Sequence, residues 1–129
     1  MKFESSVRIR TCPSQRLLAV IADKWSALLL YVLAGRTVRY LQLHREIDGI
    51  SQKMLTQTLQ NLERHGLVCR RVFAVVPPRV EYSLTPLGEG LVPKLVSLCE
   101  WCEENAGTVE AAKLAYENSL AARSEYQTD

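Results

Sequence analysis

The sequence offers little to a membrane, a secretion route or a catalyst. Its first ten residues, MKFESSVRIR, carry no apolar stretch of the kind a secretory signal needs. The longest apolar run, Ala27 to Ala34, is far shorter than the ~20 residues that cross a bilayer. These two absences predict a soluble, cytoplasmic chain with no membrane partner. No internal repeat, low-complexity tract or Gly/Ser linker is present. A chain of 129 residues with 47% hydrophobic content is one ordinary domain that can bury a core. The two histidines, His44 and His65, are too scattered to complete a zinc site. No acid, base and nucleophile converge in the pattern, so no enzyme activity, cofactor or metal is expected.

What the sequence has is a charge split. Residues 1–79 hold 13 Lys/Arg against 5 Asp/Glu, whereas residues 80–129 hold 3 against 9. Either the first part meets a polyanion and the last part does something else, or the charges cluster by chance on a solvated surface.

The elements follow from periodicity. CPSQRLLAVIADKW reads as a short helix, with Pro13 suited to a first turn and Leu17, Leu18 and Ile21 on one face. A second helix places Trp25, Leu28, Leu29, Val32 and Leu33 at helical spacing, and Gly35 stops it. RTVRY is brief and extended. YLQLHREI gives a third helix, with Tyr40, Leu43 and Ile47 on one side. After the turn at DGI, Ser51 can cap a fourth helix that Gly66 ends. LVCRRVFAVVPPRVEYSL reads as a hairpin over 67–84, in which Pro77-Pro78 bars pairing at the tip. A long helix starts near Thr85 with the stripe Leu87, Leu91, Leu95, Leu98 and Cys102. A separate Ala-rich helix is expected over Val109 to Ala122. The predicted fold is mainly α with a small β-hairpin wing, a winged helix-turn-helix with a core over about 12–101 and a helical extension over 102–129.

The fourth helix carries the chemistry. At 100° per residue, Leu55, Leu59 and Leu62 fall on one face, and Lys53, Gln57, Gln60 and Arg64 fall on the other. Amides pair with adenine edges and cations with guanine or phosphate, and a helix of this size fits the major groove. Ser51 and Gln52 bring free N–H groups of the helix start toward a phosphate, and Thr56 in the same helix is a further candidate DNA contact. In the hairpin, Arg70, Arg71 and Arg79 are candidate contacts to the backbone or minor groove, with Lys24, Arg36 and Arg39 as weaker ones. The bland alternative for all of these is a solvated face.

The segments CPSQRLLAVIADKW, GISQKMLTQTLQNLERHGLVCRRV and above all VPPRVEYSLTPLGEGL resemble the HxlR-type bacterial transcription regulators, relatives of the MarR winged-helix group. The resemblance covers Cys12 to Trp101. It implies a homodimer joined through the N- and C-terminal helices, bound to a pseudo-palindromic double-stranded operator as repressor or activator. Ser51 to Arg64 matches the family's recognition helix and Arg70 to Tyr82 its wing. Two departures stand out: ADKW where GGKW is common, and the apolar AVV before the prolines where a more polar tip is usual. A regulator of this kind would work at the nucleoid. The competing reading is a winged-helix module that binds proteins and has lost specific DNA binding.

The four cysteines lack the secretory context of a disulfide framework. Cys12 precedes Pro13 among Arg8, Arg10 and Arg16, surroundings that favour a thiolate. The resemblance implies a sensor of electrophiles or oxidants at that place; the alternative is a small residue packed at a dimer interface. Cys99 and Cys102 spell C-x-x-C, as in redox enzymes, but lie mid-helix rather than at a strand-to-helix junction, and core or interface packing is expected for them. Cys69, Trp25 and Trp101 are expected in the core.

Overall fold

The structure is a computed structural model that describes residues 13–126. Five helices and three strands run in the order α1 (Pro13–Ile21), α2 (Lys24–Leu33), β1 (Thr37–Arg39), α3 (Tyr40–Glu46), α4 (Gln52–Arg64), β2 (Val68–Phe73), β3 (Arg79–Leu84) and α5 (Pro86–Tyr126). The described residues fall into two units, which divide between Leu95 and Val96. No helix among the described residues is long and apolar enough to cross a membrane.

The first unit is built on leucine. Leu29, Leu30 and Leu33 of α2, Leu43 of α3, and Leu55, Leu59 and Leu62 of α4 are fully or almost fully buried together. Val38, Leu67, Val68, Tyr82 and Leu95 close the same cluster. Burying one leucine side chain is favourable by roughly 1.5–3 kcal/mol, so this cluster dominates the stability of the unit. Helix α1 contributes differently from its expected face. Val20 and Ile21 pack on the core while Leu17 and Leu18 point outward.

Each helix end has a visible cause. Asp23 caps α2 by accepting from the N–H of Ser26 at 3.2 Å, and the buried Ser26 hydroxyl also reaches it. The Asp of the ADKW departure is therefore a helix cap. At the end of α4 the N–H of Leu67 donates to Leu62 and that of Gly66 to Glu63, both at 3.0 Å. This double closure needs Gly66 in the left-handed region, and its φ is +74°.

The hairpin is wider than two strands. β1 pairs antiparallel with β3, giving a three-stranded sheet in the order β1-β3-β2. The register sets Arg70 opposite Tyr82 and Arg71 opposite Glu81. Successive side chains alternate faces, so Arg70 shares the core-facing side of the sheet with the buried Tyr82, and Arg71 lies on the other. Cys69 pairs with Ser83 on that outer side and is exposed, which corrects its expected place in the core.

Helix α5 is continuous for 41 residues, with Pro93 inside it, where the sequence suggested two helices. Thr85 starts it, accepting from the N–H of Gly88 at 3.1 Å. Thr85 also donates its hydroxyl to the carbonyl of Gly66 at 2.6 Å and its N–H to Leu67 at 3.1 Å. Gly88 is tight, because a Cβ there would meet the carbonyl oxygen of Leu67. Glu89 accepts from the N–H of Gly35 at 3.0 Å. In the second unit, α5 keeps its apolar residues in the open. Trp101 is exposed there, against expectation, as are Cys99 and Cys102, so neither thiol belongs to a core of its own chain. Of the foreseen stripe, Leu91 and Leu95 pack on the core of unit 1, whereas Leu98 and Cys102 in unit 2 are exposed.

Candidate nucleic-acid interface

Helix α4 keeps its two faces apart in space as in sequence. Leu55, Thr58, Leu59 and Leu62 are buried, while Lys53, Gln57, Gln60 and Arg64 are exposed. The only buried polar side chain of this helix, Thr58, donates to the carbonyl of Met54 at 2.7 Å and so carries no unmet hydrogen bond into the core. Ser51 caps the helix as expected, its Oγ accepting from the N–H of Met54 at 3.1 Å. Gln52 opens the first turn and is exposed.

Two further contacts hold α4 against the preceding helix. The hydroxyl of Tyr40, the first residue of α3, donates to the carbonyl of Gln52 at 3.1 Å and lies 2.9 Å from Thr56 Oγ1. Thr56 is thus a tether between the two helices of the motif. Tyr40 is a helix-to-helix tether of this site that sequence reasoning placed only on an apolar face. Its hydroxyl at a helix start, with a polar residue one turn into the next helix, is the signal that could have found it. At the other end of α3, Arg36 grips Glu46 through both its terminal nitrogens, at 3.1 and 2.9 Å. That pairing raises the Arg36 pKa and lowers that of Glu46, chiefly through the side-chain hydrogen bond. Arg36 is accordingly spoken for as a structural clamp.

The exposed face of α4 also borders space. Gln57, Gln60, Asn61 and Arg64 form one wall of a cleft of about 740 Å³, with Val20 and Asp23 opposite. Arg64 is steadied by Asn61 at 3.2 Å. The structure therefore brings Gln57, Gln60 and Arg64 together, and Lys53 stands on the same exposed face nearer the helix start.

The wing is less uniform than its sequence. Arg70 and Arg71 are exposed on opposite sides of the sheet. Arg79 is partly covered: its guanidinium lies 4.4 Å from the Phe73 ring and its Nε 3.2 Å from Glu81. At 3.2 Å the pair is an ion contact, yet Nε makes no well-directed hydrogen bond. Val75 and Val76 at the tip are exposed, with a cis Val76–Pro77 peptide beside them. Lys24 rests over Trp25 at 4.6 Å. Cys12 lies outside the described residues. Among the described residues no group of three metal-ligating side chains assembles.

A short helix, a turn and a second helix with an exposed polar face, followed by a β-hairpin, define a winged helix-turn-helix protein. Residues 20–110 match the sequence model of the HxlR-like helix-turn-helix family, and the chain belongs to that family of transcription regulators. It is 43% identical over 110 residues to the HTH-type transcriptional regulator YtfH of Escherichia coli strain K12, covering 85% of this chain and 87% of that one. The structure of the transcriptional regulator ytfH from Salmonella typhimurium superposes with a TM-score of 0.74 at 42% identity, over 83% of this chain and 96% of that one. The redox regulator HypR in its reduced form superposes with a TM-score of 0.70 at 39% identity, over 77% and 98% of the two chains. These relatives are named as regulators, not enzymes.

Proposed function

We propose that the chain is a homodimeric, sequence-specific double-stranded-DNA-binding regulator that reads its operator with α4. The observation that carries this is the α4 surface. Lys53, Gln57, Gln60 and Arg64 are exposed together on a helix locked by the Ser51 cap, the Tyr40 hydroxyl and a leucine face at full burial. A preset donor and acceptor surface is what base-edge reading in the major groove requires. The start of α4, with Ser51 and Gln52, meets a phosphate. Arg70 and Arg71 reach the backbone from the two sides of the wing, and Arg79, held by Phe73 and Glu81, serves mainly to shape it.

The second unit supports the dimer. At about 100° per residue, Leu98, Trp101, Val109, Tyr116 and Leu120 fall within about 100° of arc on α5. All five are exposed in the single chain. A stripe of that length is covered when two copies pair, which sets two recognition helices about 34–36 Å apart on a pseudo-palindrome. In such an arrangement residues 102–129 are the dimerising extension. The HypR likeness and the arginines around Cys12 favour a thiol-responsive regulator, with oxidation or alkylation of Cys12 altering DNA affinity.

The test is a salt-dependent titration against the duplex upstream of the protein's own gene, with and without diamide. Tight binding that weakens with salt, and weakens further in Lys53→Ala/Gln57→Ala than on random duplex, is the expected result. Equal affinity for random duplex, unchanged in the double variant, would leave a winged helix that binds proteins instead.

A further inference from the structure

Tyr40 and Thr56 meet across the two helices of the motif, and geometry fixes which of them keeps a proton to give. The phenol oxygen stands 3.1 Å from the carbonyl of Gln52 and 2.9 Å from Thr56 Oγ1. A tyrosine hydroxyl has a single proton and a carbonyl oxygen has none. The contact to Gln52 is therefore a hydrogen bond only when the phenol donates it. The contact to Thr56 is then a hydrogen bond only when the threonine hydroxyl donates in turn. The reverse assignment leaves two lone-pair oxygens 3.1 Å apart with no proton between them. Thr58, in the same helix, shows the usual outlet: its hydroxyl donates to the carbonyl of Met54, four residues back, at 2.7 Å. For Thr56 the equivalent carbonyl is that of Gln52, and the phenol already holds it.

Thr56 is exposed, with Lys53 three residues before it and Gln60 four after as its neighbours on the helix surface. A threonine hydroxyl ordinarily suits any base, because it both donates and accepts. Here the proton is committed to Tyr40 and only lone pairs are left for the groove. Phosphate oxygens accept and never donate, so they gain nothing from such a hydroxyl. In the major groove the donors are the amino groups of adenine and cytosine, whereas guanine and thymine present acceptors. We propose that Thr56, set as an acceptor by Tyr40, selects an amino-bearing base, adenine or cytosine, on the strand it faces in each operator half-site. Thr56 is thereby a specificity-determining residue, and Tyr40 acts through it as a positioning residue. This selection rests on α4 as the helix that reads the duplex.

The probe is a duplex library with a randomised core, bound by the full chain and sequenced from the bound fraction. Wild type, Tyr40→Phe, Thr56→Val and the double variant are compared. The wild-type profile should restrict one position of each half-site to adenine or cytosine on one strand. Tyr40→Phe, which keeps the ring 6.5 Å from that of Tyr82, should admit guanine and thymine there and leave the other positions alone. Thr56→Val should lose the preference at the same position, and the double variant should match it. On the preferred duplex Thr56→Val should bind about fivefold more weakly, the worth of one hydrogen bond. Replacing the selected adenine by purine, or the selected cytosine by 2-pyrimidinone, deletes the amino group; the effective replacement identifies the base. It should weaken wild type by the same factor and leave Thr56→Val unchanged. A Tyr40→Phe profile identical to wild type, or a loss in either single variant spread evenly over all sequences, overturns the proposal. Amino-group deletion that weakens wild type and Thr56→Val alike overturns it too. In those cases the helix still reads DNA; a wild type with no sequence preference at all overturns the reading by α4 as well.

Discussion

Helix α4 and the second half of α5 carry the same device, a row of large apolar side chains at helical spacing, with opposite outcomes. In α4 the row is sealed: Leu55, Leu59 and Leu62 are at most 1% exposed. In α5 the row from Leu98 to Leu120 lies open, with Trp101 57% exposed. Periodicity specifies that a helix has an apolar face. What covers that face is decided by residues distant in sequence, and for α5 no described residue of unit 2 covers it. The polar sides differ too. The face of α4 opposite its leucines is amide and cation, whereas α5 carries Glu100, Glu103, Glu104, Glu110 and Glu117. One helix suits a polyanion and the other repels it.

The sharpest way to break this contrast is a pair of equal truncations. Leu59→Ala is expected to cost about 2–5 kcal/mol in denaturant unfolding, because it opens a cavity in a closed core. Leu98→Ala at low protein concentration should stay within about 0.5 kcal/mol, as for other surface changes. Its cost should grow as the concentration rises and copies pair. Equal costs for the two, independent of concentration, would mean that the α5 stripe is already covered within one chain.

A smaller effect tests the joint between the two helices. Gly88→Ala should destabilise by about 1–3 kcal/mol, since the new Cβ meets the backbone carbonyl of Leu67 and neither can yield freely. Gly90→Ala, where nothing lies near, is the control and should be neutral or slightly stabilising. Thermal melts of both variants decide it; matching melting temperatures would show that the start of α5 is loosely held.

The smallest effect is electrostatic. Pairing with Arg36 lowers the Glu46 pKa in the folded chain. The stability it contributes is therefore present above the ordinary carboxylate range and is lost as pH falls through the lowered value. Glu46→Gln should remove that segment of the pH–stability profile and leave the rest unchanged. An unaltered profile would show that the exposed pair contributes nothing measurable.

Much of this was legible in the sequence because its signals are local. The Ser51 cap, the Gly66 stop, the leucine face of α4 and the start of α5 at Thr85 each depend on residues within a turn or two. The misses are non-local. The pairing of Thr37–Arg39 with Glu81–Ser83 joins segments more than forty residues apart, and it is the register of β2 on β3 that sets Arg70 on the side of Tyr82 and turns Cys69 outward. The Ala-rich tract Val109 to Ala122 reads as a helix of its own, whereas one helix runs unbroken from Pro86 to Tyr126 through Pro93 and Gly107. The hydroxyl bond of Tyr40 to Thr56 required knowing how α3 and α4 cross. The place of Trp101 was misjudged because large apolar residues are usually buried, and a helix that continues beyond its own domain is where that expectation fails.

Thr85 has a mechanical meaning. Its hydroxyl and amide grip Gly66 and Leu67, the two residues that close α4, while its oxygen also anchors the first turn of α5. Two hydrogen bonds therefore rivet this threonine to the end of one helix, and a third fastens it to the first turn of the other. A twist applied to the first turn of α5 passes to the last turn of α4 as torque, with almost no slack, or it shears the rivet.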